Sequence, residues 1–292
     1  MSSYKPVLKL AFVSSFLLSL TNTFAMNSDH GRHSLFSQGR VSIGPVIQMP
    51  SPSLTTTLSQ KNIGFDWVWI DTEHGPIGVT EMHKMISATR GTGVLPIVRI
   101  PANQDWMVKS ALDAGARGIM FPFINTKEEA EKAIASLRYP PEGVRGFAPM
   151  VAAQEWGMSV SEYTRVANEE VIGILQIESA TAVKNIDDIL SVSGVDMILI
   201  GPYDLSGTIG LLGEVNHPKV EALIEQVIVS AKKRNVPLGT VAFNEQDMKK
   251  RIEQGFQFVG VAVDSLLISE SASTVVKQFR TLQGKTKALS EK

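Results

Sequence analysis

The 292-residue sequence contains no cysteine. That excludes disulfides, thiolate nucleophiles and sulfur-ligated metals. Acidic and basic residues nearly balance, at a net charge of -1. A chain without a basic excess has no electrostatic footprint for nucleic acid or an anionic membrane. No apolar run is long enough to span a bilayer with margin: Leu10 to Leu20 is interrupted by Ser14, Ser15 and Ser19. No G-x-G-x-x-G follows the first apolar segment, and no Ser stands in a G-x-S-x-G elbow. No apolar segment ends in Lys, which argues against Schiff-base chemistry.

What is present begins with a leader. Lys5 and Lys9 precede the apolar run, and Thr21 to Ala25 follows it. A charged start, a short apolar stretch and small residues at the end form the pattern of a secretory signal peptide over residues 1–25. A disordered leader or an uncleaved anchor is the alternative. Cleavage after Ala25 implies a periplasmic or secreted protein, free of the membrane once processed; without a signal peptide the expectation is cytoplasmic. Residues 26–40 are polar and read as a flexible lead-in.

From Val41 onward, short Val- and Ile-rich segments alternate with amphipathic helical patterns. Strands this apolar on both faces are expected in parallel sheets covered on both sides. Eight such units predict a single-domain (β/α)8 TIM barrel over residues 41–283, with a polar, frayed tail at 284–292. A doubly wound sheet is the runner-up. Arg138 to Gly157 reads as one long loop, Ala180 to Leu190 as one helix, and the last helix as ending near Leu282.

The chemistry gathers where the predicted strands stop. Phe65 to Ile70 is an apolar strand followed at once by Asp71, Glu73 and His74. Arg99 closes the segment Leu95 to Val98, Gln176 and Glu178 close the fifth strand, and Asp204 follows the sixth. Barrel sites are assembled from several such strand ends. Glu178 and Asp204 are the best pair for a hard divalent ion, Mg²⁺ or Mn²⁺. Taken singly, either could be a helix-capping carboxylate. Arg99 offers a planar donor fork to a substrate oxyanion, or an ion pair to Asp71 or Glu73. His74 is a candidate general base. These residues suit metal-assisted enolate formation.

Four blocks carry a resemblance: GFDWVWIDTEHGP, LPIVRIP, RYPPEGVRGF, and LQIES with GVDMILIGPYDLS. Through them the chain, from about Val41 to Phe279, resembles the HpcH/HpaI family of class II, metal-dependent 2-oxo-acid (pyruvate) aldolases. The resemblance implies a TIM barrel, commonly a homo-oligomer (a hexamer) with its C-terminal helix exchanged between subunits. It implies Glu178 and Asp204 as ligands of Mg²⁺, Mn²⁺ or Co²⁺, and Arg99 on the pyruvate carbonyl. It also implies His74, paired with Asp71, as the acid/base group. Gln176 would line the pyruvate site, the Tyr203 and Asp204 amides would hold its carboxylate, and Asp113 would act near a neighbouring subunit's site.

The reading is therefore a carbon–carbon lyase that cleaves or forms a 4-hydroxy-2-oxo acid, with a 2-oxo acid and an aldehyde as its small-molecule partners. A 3-hydroxy acyl-CoA lyase is the enzymatic alternative, though no Lys/Arg cluster announces a nucleotide groove. A non-catalytic barrel that binds 2-oxo acids is the other.

Overall fold

The computed structural model describes Leu35 and residues 40–290. Eight parallel strands close in sequence order into a barrel. They are β1 (Ser42–Ile47), β2 (Trp67–Asp71), β3 (Leu95–Arg99), β4 (Gly118–Phe121), β5 (Ile172–Ile177), β6 (Met197–Ile200), β7 (Leu238–Val241) and β8 (Phe258–Val263). The expected fold class is the one observed. The period of two along each strand divides the core into two layers. Trp67, Trp69, Leu95, Ile97, Met120, Ile172, Ile174 and Phe258 fill the barrel. Val68, Ile70, Val98, Ile119, Leu175 and Ile198 face the surrounding helices. Trp67 stacks on Phe258 inside the barrel, with ring centroids 3.8 Å apart. Gly44 makes room for that stack, since a Cβ there would lie 2.3 Å from the Trp67 ring.

The covering helices begin with α1 (Pro52–Leu58), α2 (Val79–Ser87), α3 (Asp105–Asp113) and α4 (Lys127–Leu137). The start of α4 is fixed by a reciprocal capping box between Thr126 and Glu129. The stretch expected as a bare loop contains α5 (Met150–Glu155), and α6 (Val160–Glu170) follows it. A six-residue helix has almost no stability of its own; burial of Ala152 and Ala153 holds α5 in place. The helix expected at Ala180 to Leu190 is two, α7 (Ala180–Lys184) and α8 (Ile186–Ile189). They break at Asn185, whose amide donates to the Asn125 carbonyl at 2.8 Å.

Next come α9 (Pro202–Gly207), α10 (Pro218–Arg234), α11 (Glu245–Gln254) and α12 (Asp264–Ser290). The last runs well past Leu282, so the expected frayed tail is helical as far as Ser290; Lys, Ala and Leu there favour helix. The expected signal peptide lies outside the described residues. So does most of the lead-in; Leu35 within it is buried in the cluster that fills the barrel. Among the described residues no helix is long and apolar enough to cross a membrane.

Candidate active site

The inward rows of the barrel become polar at its carboxyl end. Asp71 continues the row Trp67–Trp69, Arg99 the row Leu95–Ile97, and Gln176 the row Ile172–Ile174. Glu178 stands two residues further on, just beyond β5. Strand alternation thus turns all four toward one mouth.

Asp71 and Arg99 are register partners on adjacent strands. The Arg99 Nε donates to Asp71 Oδ1 at 2.8 Å and Nη2 donates to Oδ2 at 2.7 Å. The Nη1 of Arg99 lies 2.9 Å from Glu73 Oε2. The guanidinium also lies 4.7 Å from the centre of the Trp69 ring. A guanidinium has five N–H groups; two of them hydrogen-bond Asp71, Nη1 adds an ion pair to Glu73, and N–H groups on both Nη atoms remain for a ligand. Asp71 accepts further from the Gln48 amide at 2.9 Å and from the backbone N–H groups of Glu73 and His74. Burial alone would push the Asp71 carboxyl up, but the Arg99 bonds hold it below the usual range.

This corrects the expected Asp71–His74 pair. Side by side on neighbouring strands, the guanidinium fork takes both Asp71 oxygens. Asp71 reaches His74 only through the backbone. The imidazole is 58% exposed, and its Nε2 lies 3.8 Å from Glu73 Oε2.

Glu178 is 1% exposed. Its Oε1 accepts from the Phe123 backbone N–H at 2.8 Å and its Oε2 from the Gln176 amide at 3.1 Å. Both donors are neutral. Burial, against the Phe123 bond, together with the negative charges of Asp204 and Glu73, pushes the Glu178 carboxyl up to about 7. Burial likewise raises Glu73, only partly offset by Arg99. The carboxylate cluster around Glu178 is therefore short of positive charge, which is the condition a hard cation relieves. The buried Oε1 of Gln176 has no hydrogen-bond donor within the protein. Among the described residues no three His, Cys, Asp or Glu side chains are arranged to enclose a metal. An ion held here would have two protein carboxylates and would complete its shell from water or substrate oxygens, as Mg²⁺ commonly does.

Asp204 sits in the first turn of α9, half-buried, with Tyr203 exposed beside it. Pro202 at the first helical position and Gly201 before it leave the Tyr203 and Asp204 amides without a side-chain cap. A Cβ on Gly201 would lie 2.6 Å from Glu178 Oε2, so a side chain here would crowd that carboxylate. Asp113 does not join this group. It ends α3, which returns toward the opposite end of the barrel, and it pairs with Arg145 at 3.0 Å.

Three contributors went unread in the sequence. Asp264, 1% exposed, accepts from the backbone N–H groups of Gln48 and Met49, at 3.0 and 2.8 Å, and so fixes the end of β1. It directly follows an apolar strand, the same signal that marked Arg99. Gln48 braces Asp71 but is uncharged and gave no signal. Phe123 matters through its backbone, which sequence does not display.

The HpcH/HpaI aldolase/citrate lyase family model matches residues 48–271. The chain is 38% identical to the 2-dehydro-3,6-dideoxy-6-sulfogluconate aldolase of Pseudomonas putida, over 80% of this chain and 91% of that one. It is 37% identical to the 5-keto-4-deoxy-D-glucarate aldolase of Salmonella newport (strain SL254), over 82% of this chain and 93% of that one. Among solved structures, an HpcH/HpaI aldolase/citrate lyase family protein from Burkholderia cenocepacia J2315 superposes with a TM-score of 0.80. It is 32% identical, and the match covers 85% of this chain and 98% of that one.

Proposed function

The chain belongs to the HpcH/HpaI aldolase/citrate lyase family and is a carbon–carbon lyase, and from that premise we propose that it is a divalent-metal-dependent aldolase. It would cleave a 4-hydroxy-2-oxo acid to pyruvate and an aldehyde, and run the reverse addition. The observation that carries this reading is the Arg99 clamp beside the buried Glu178–Asp204 pair.

Glu178 and Asp204 would hold the cation, which when bound supplies Lewis-acid stabilisation of negative charge on the substrate oxygens. The N–H groups left free on the Nη atoms of Arg99 donate to the pyruvate carbonyl oxygen as it gains charge. Asp71 and, behind it, Gln48 are positioning residues: they hold the fork so that little reorganisation accompanies that change. Gln176 lines the pyruvate subsite, and the Tyr203 and Asp204 amides face its carboxylate. His74, exposed at the rim, takes the proton from the 4-hydroxyl during cleavage and returns it during addition.

The relatives' names supply the first substrates to try, 5-keto-4-deoxy-D-glucarate and 2-dehydro-3,6-dideoxy-6-sulfogluconate, beside 4-hydroxy-2-oxo acids with neutral tails. The test is pyruvate release from this panel after EDTA treatment, then with Mg²⁺, Mn²⁺ or Co²⁺ restored. Undiminished turnover after exhaustive chelation refutes the metal-dependent reading.

The exposed face of α12 supports self-association. Ile268, Val275, Phe279 and Leu282 are exposed, and their seven-, four- and three-residue spacing puts them on one stripe. An apolar helix face of this length calls for a partner, and an exchanged C-terminal helix in a homo-oligomer would cover it. Sedimentation equilibrium that finds only monomer excludes this. The leader supports export with cleavage after Ala25; amino-terminal sequencing that finds Met1 on the protein from its native host refutes it.

A further inference from the structure

None of the residues that connect a strand to the helix after it is Lys or Arg. These connections form the wall around the mouth, where the half of the substrate away from pyruvate must lie. The two lysines of α4 nearest this rim are engaged, Lys127 with Glu131 at 3.8 Å and Lys132 with the Asn103 carbonyl at 2.9 Å. Arg99 is held by Asp71 and Glu73. Against this, Asp71, Glu73, Glu178 and Asp204 gather acidic charge at the mouth. Even with a divalent ion and a 2-oxo-acid carboxylate in place, the balance stays negative.

The rim also carries exposed apolar side chains. Met49 after β1, Phe123 after β4 and Tyr203 after β6 are all exposed. Phe123 is built in at a cost. Its φ of +48° lies in the left-handed region, which bulky residues rarely adopt. It is held there from both sides: its N–H donates to Glu178 Oε1 at 2.8 Å, and its carbonyl accepts from the Asn125 amide at 2.8 Å. Backbone strain of this kind persists only where the surroundings fix it, and it gathers at ligand sites. A glycine would supply the same N–H without strain, so the aromatic ring needs a reason of its own.

We propose that the aldehyde this site takes is uncharged and apolar beyond its reacting carbon, and that the Phe123 ring is the wall it packs against; this rests on the aldolase reading above. The experiment is pyruvate addition, with Mn²⁺ saturating, to pentanal and to succinic semialdehyde, which are similar in length and differ in charge. The wild-type kcat/KM should favour pentanal at least about tenfold, since like charges placed together are strongly disfavoured. Phe123→Gly keeps the N–H on Glu178 and removes the ring, and should shrink that preference about fivefold or more. Phe123→Lys should shift it toward succinic semialdehyde. A wild-type preference for succinic semialdehyde overturns the proposal, as does a ratio that neither variant changes. The wild-type ratio stands as a test even if a variant does not fold. Failure of the aldolase reading looks different: neither aldehyde gives product, and pyruvate methyl protons show no Mn²⁺-dependent exchange with D₂O.

Discussion

Replacing Arg99 by alanine removes three contacts at once, two to Asp71 and one to Glu73. The Asp71 side chain is fully buried. Without the guanidinium it keeps the Gln48 amide and two backbone donors but no positive charge. Breaking a buried pair from one side costs about 3–5 kcal/mol, which for a chain of this size lowers Tm by about 10 °C. The sign of the pH dependence should also invert. With Arg99 in place, Asp71 titrates below its ordinary range, so its contribution is present above the unfolded carboxylate range and lost as pH falls through the folded value. In Arg99→Ala, burial, the largest influence on Asp71, is opposed only by the neutral Gln48 and backbone donors and pushes the carboxyl up, so stability should instead fall as pH rises.

Stability and chemistry can then be separated. The double variant Arg99→Ala/Asp71→Asn removes the stranded charge and should recover most of the lost Tm. It should not recover turnover, because the donor to the enolate oxygen is still missing; both variants should lose about 10²–10³-fold. Arg99→Lys keeps a charge beside Asp71 but not the fork, and should stay near wild type in stability while losing on the order of 10²-fold in rate. The assays are thermal unfolding at several pH values and Mn²⁺-saturated exchange of pyruvate methyl protons. If the double variant regains exchange together with stability, Arg99 is merely the counter-ion of Asp71 and the mechanism fails.

His74 is exposed and makes no short side-chain contact, so His74→Ala should leave Tm within about 2 °C. It should lower aldol cleavage by about 10²–10⁴-fold and largely spare oxaloacetate decarboxylation, which forms the same enolate without a hydroxyl proton; equal loss of both would remove His74 from that role. Glu178 titrates at about 7 without a cation. Mn²⁺ binding, followed by calorimetry, should therefore tighten as pH rises toward about 7 and level off above it, with metal-free stability falling over the same range because the folded value is raised. A pH-independent affinity between pH 5.5 and 8.5 would contradict the burial argument. Gly44→Ala would force a Cβ to 2.3 Å from Trp67 and should cost about 3 kcal/mol or more in chemical unfolding; a neutral effect would show that the Trp67–Phe258 stack can move aside.

The sequence alone determined a parallel α/β fold, because doubly apolar strands need cover on both faces, and eight units without a G-x-G-x-x-G turn favoured the barrel over a doubly wound sheet. It also marked Asp71, Arg99, Gln176, Glu178 and Asp204, since an apolar run that ends in a polar residue reveals where a strand stops and a cleft begins. It did not determine partnership. The resemblance paired Asp71 with His74, while the residues themselves also allowed an ion pair with Arg99. The register of β2 against β3 gave Asp71 to the guanidinium instead. The role of Phe123 was illegible, because a left-handed φ is imposed by what holds the backbone and not by a phenyl side chain. The short helix α5 was hidden for the same reason, since its stability comes from burial against α3 and α6. Period and composition are local and could be read along the chain, whereas register, burial and the charge each carboxylate feels exist only once the barrel has closed.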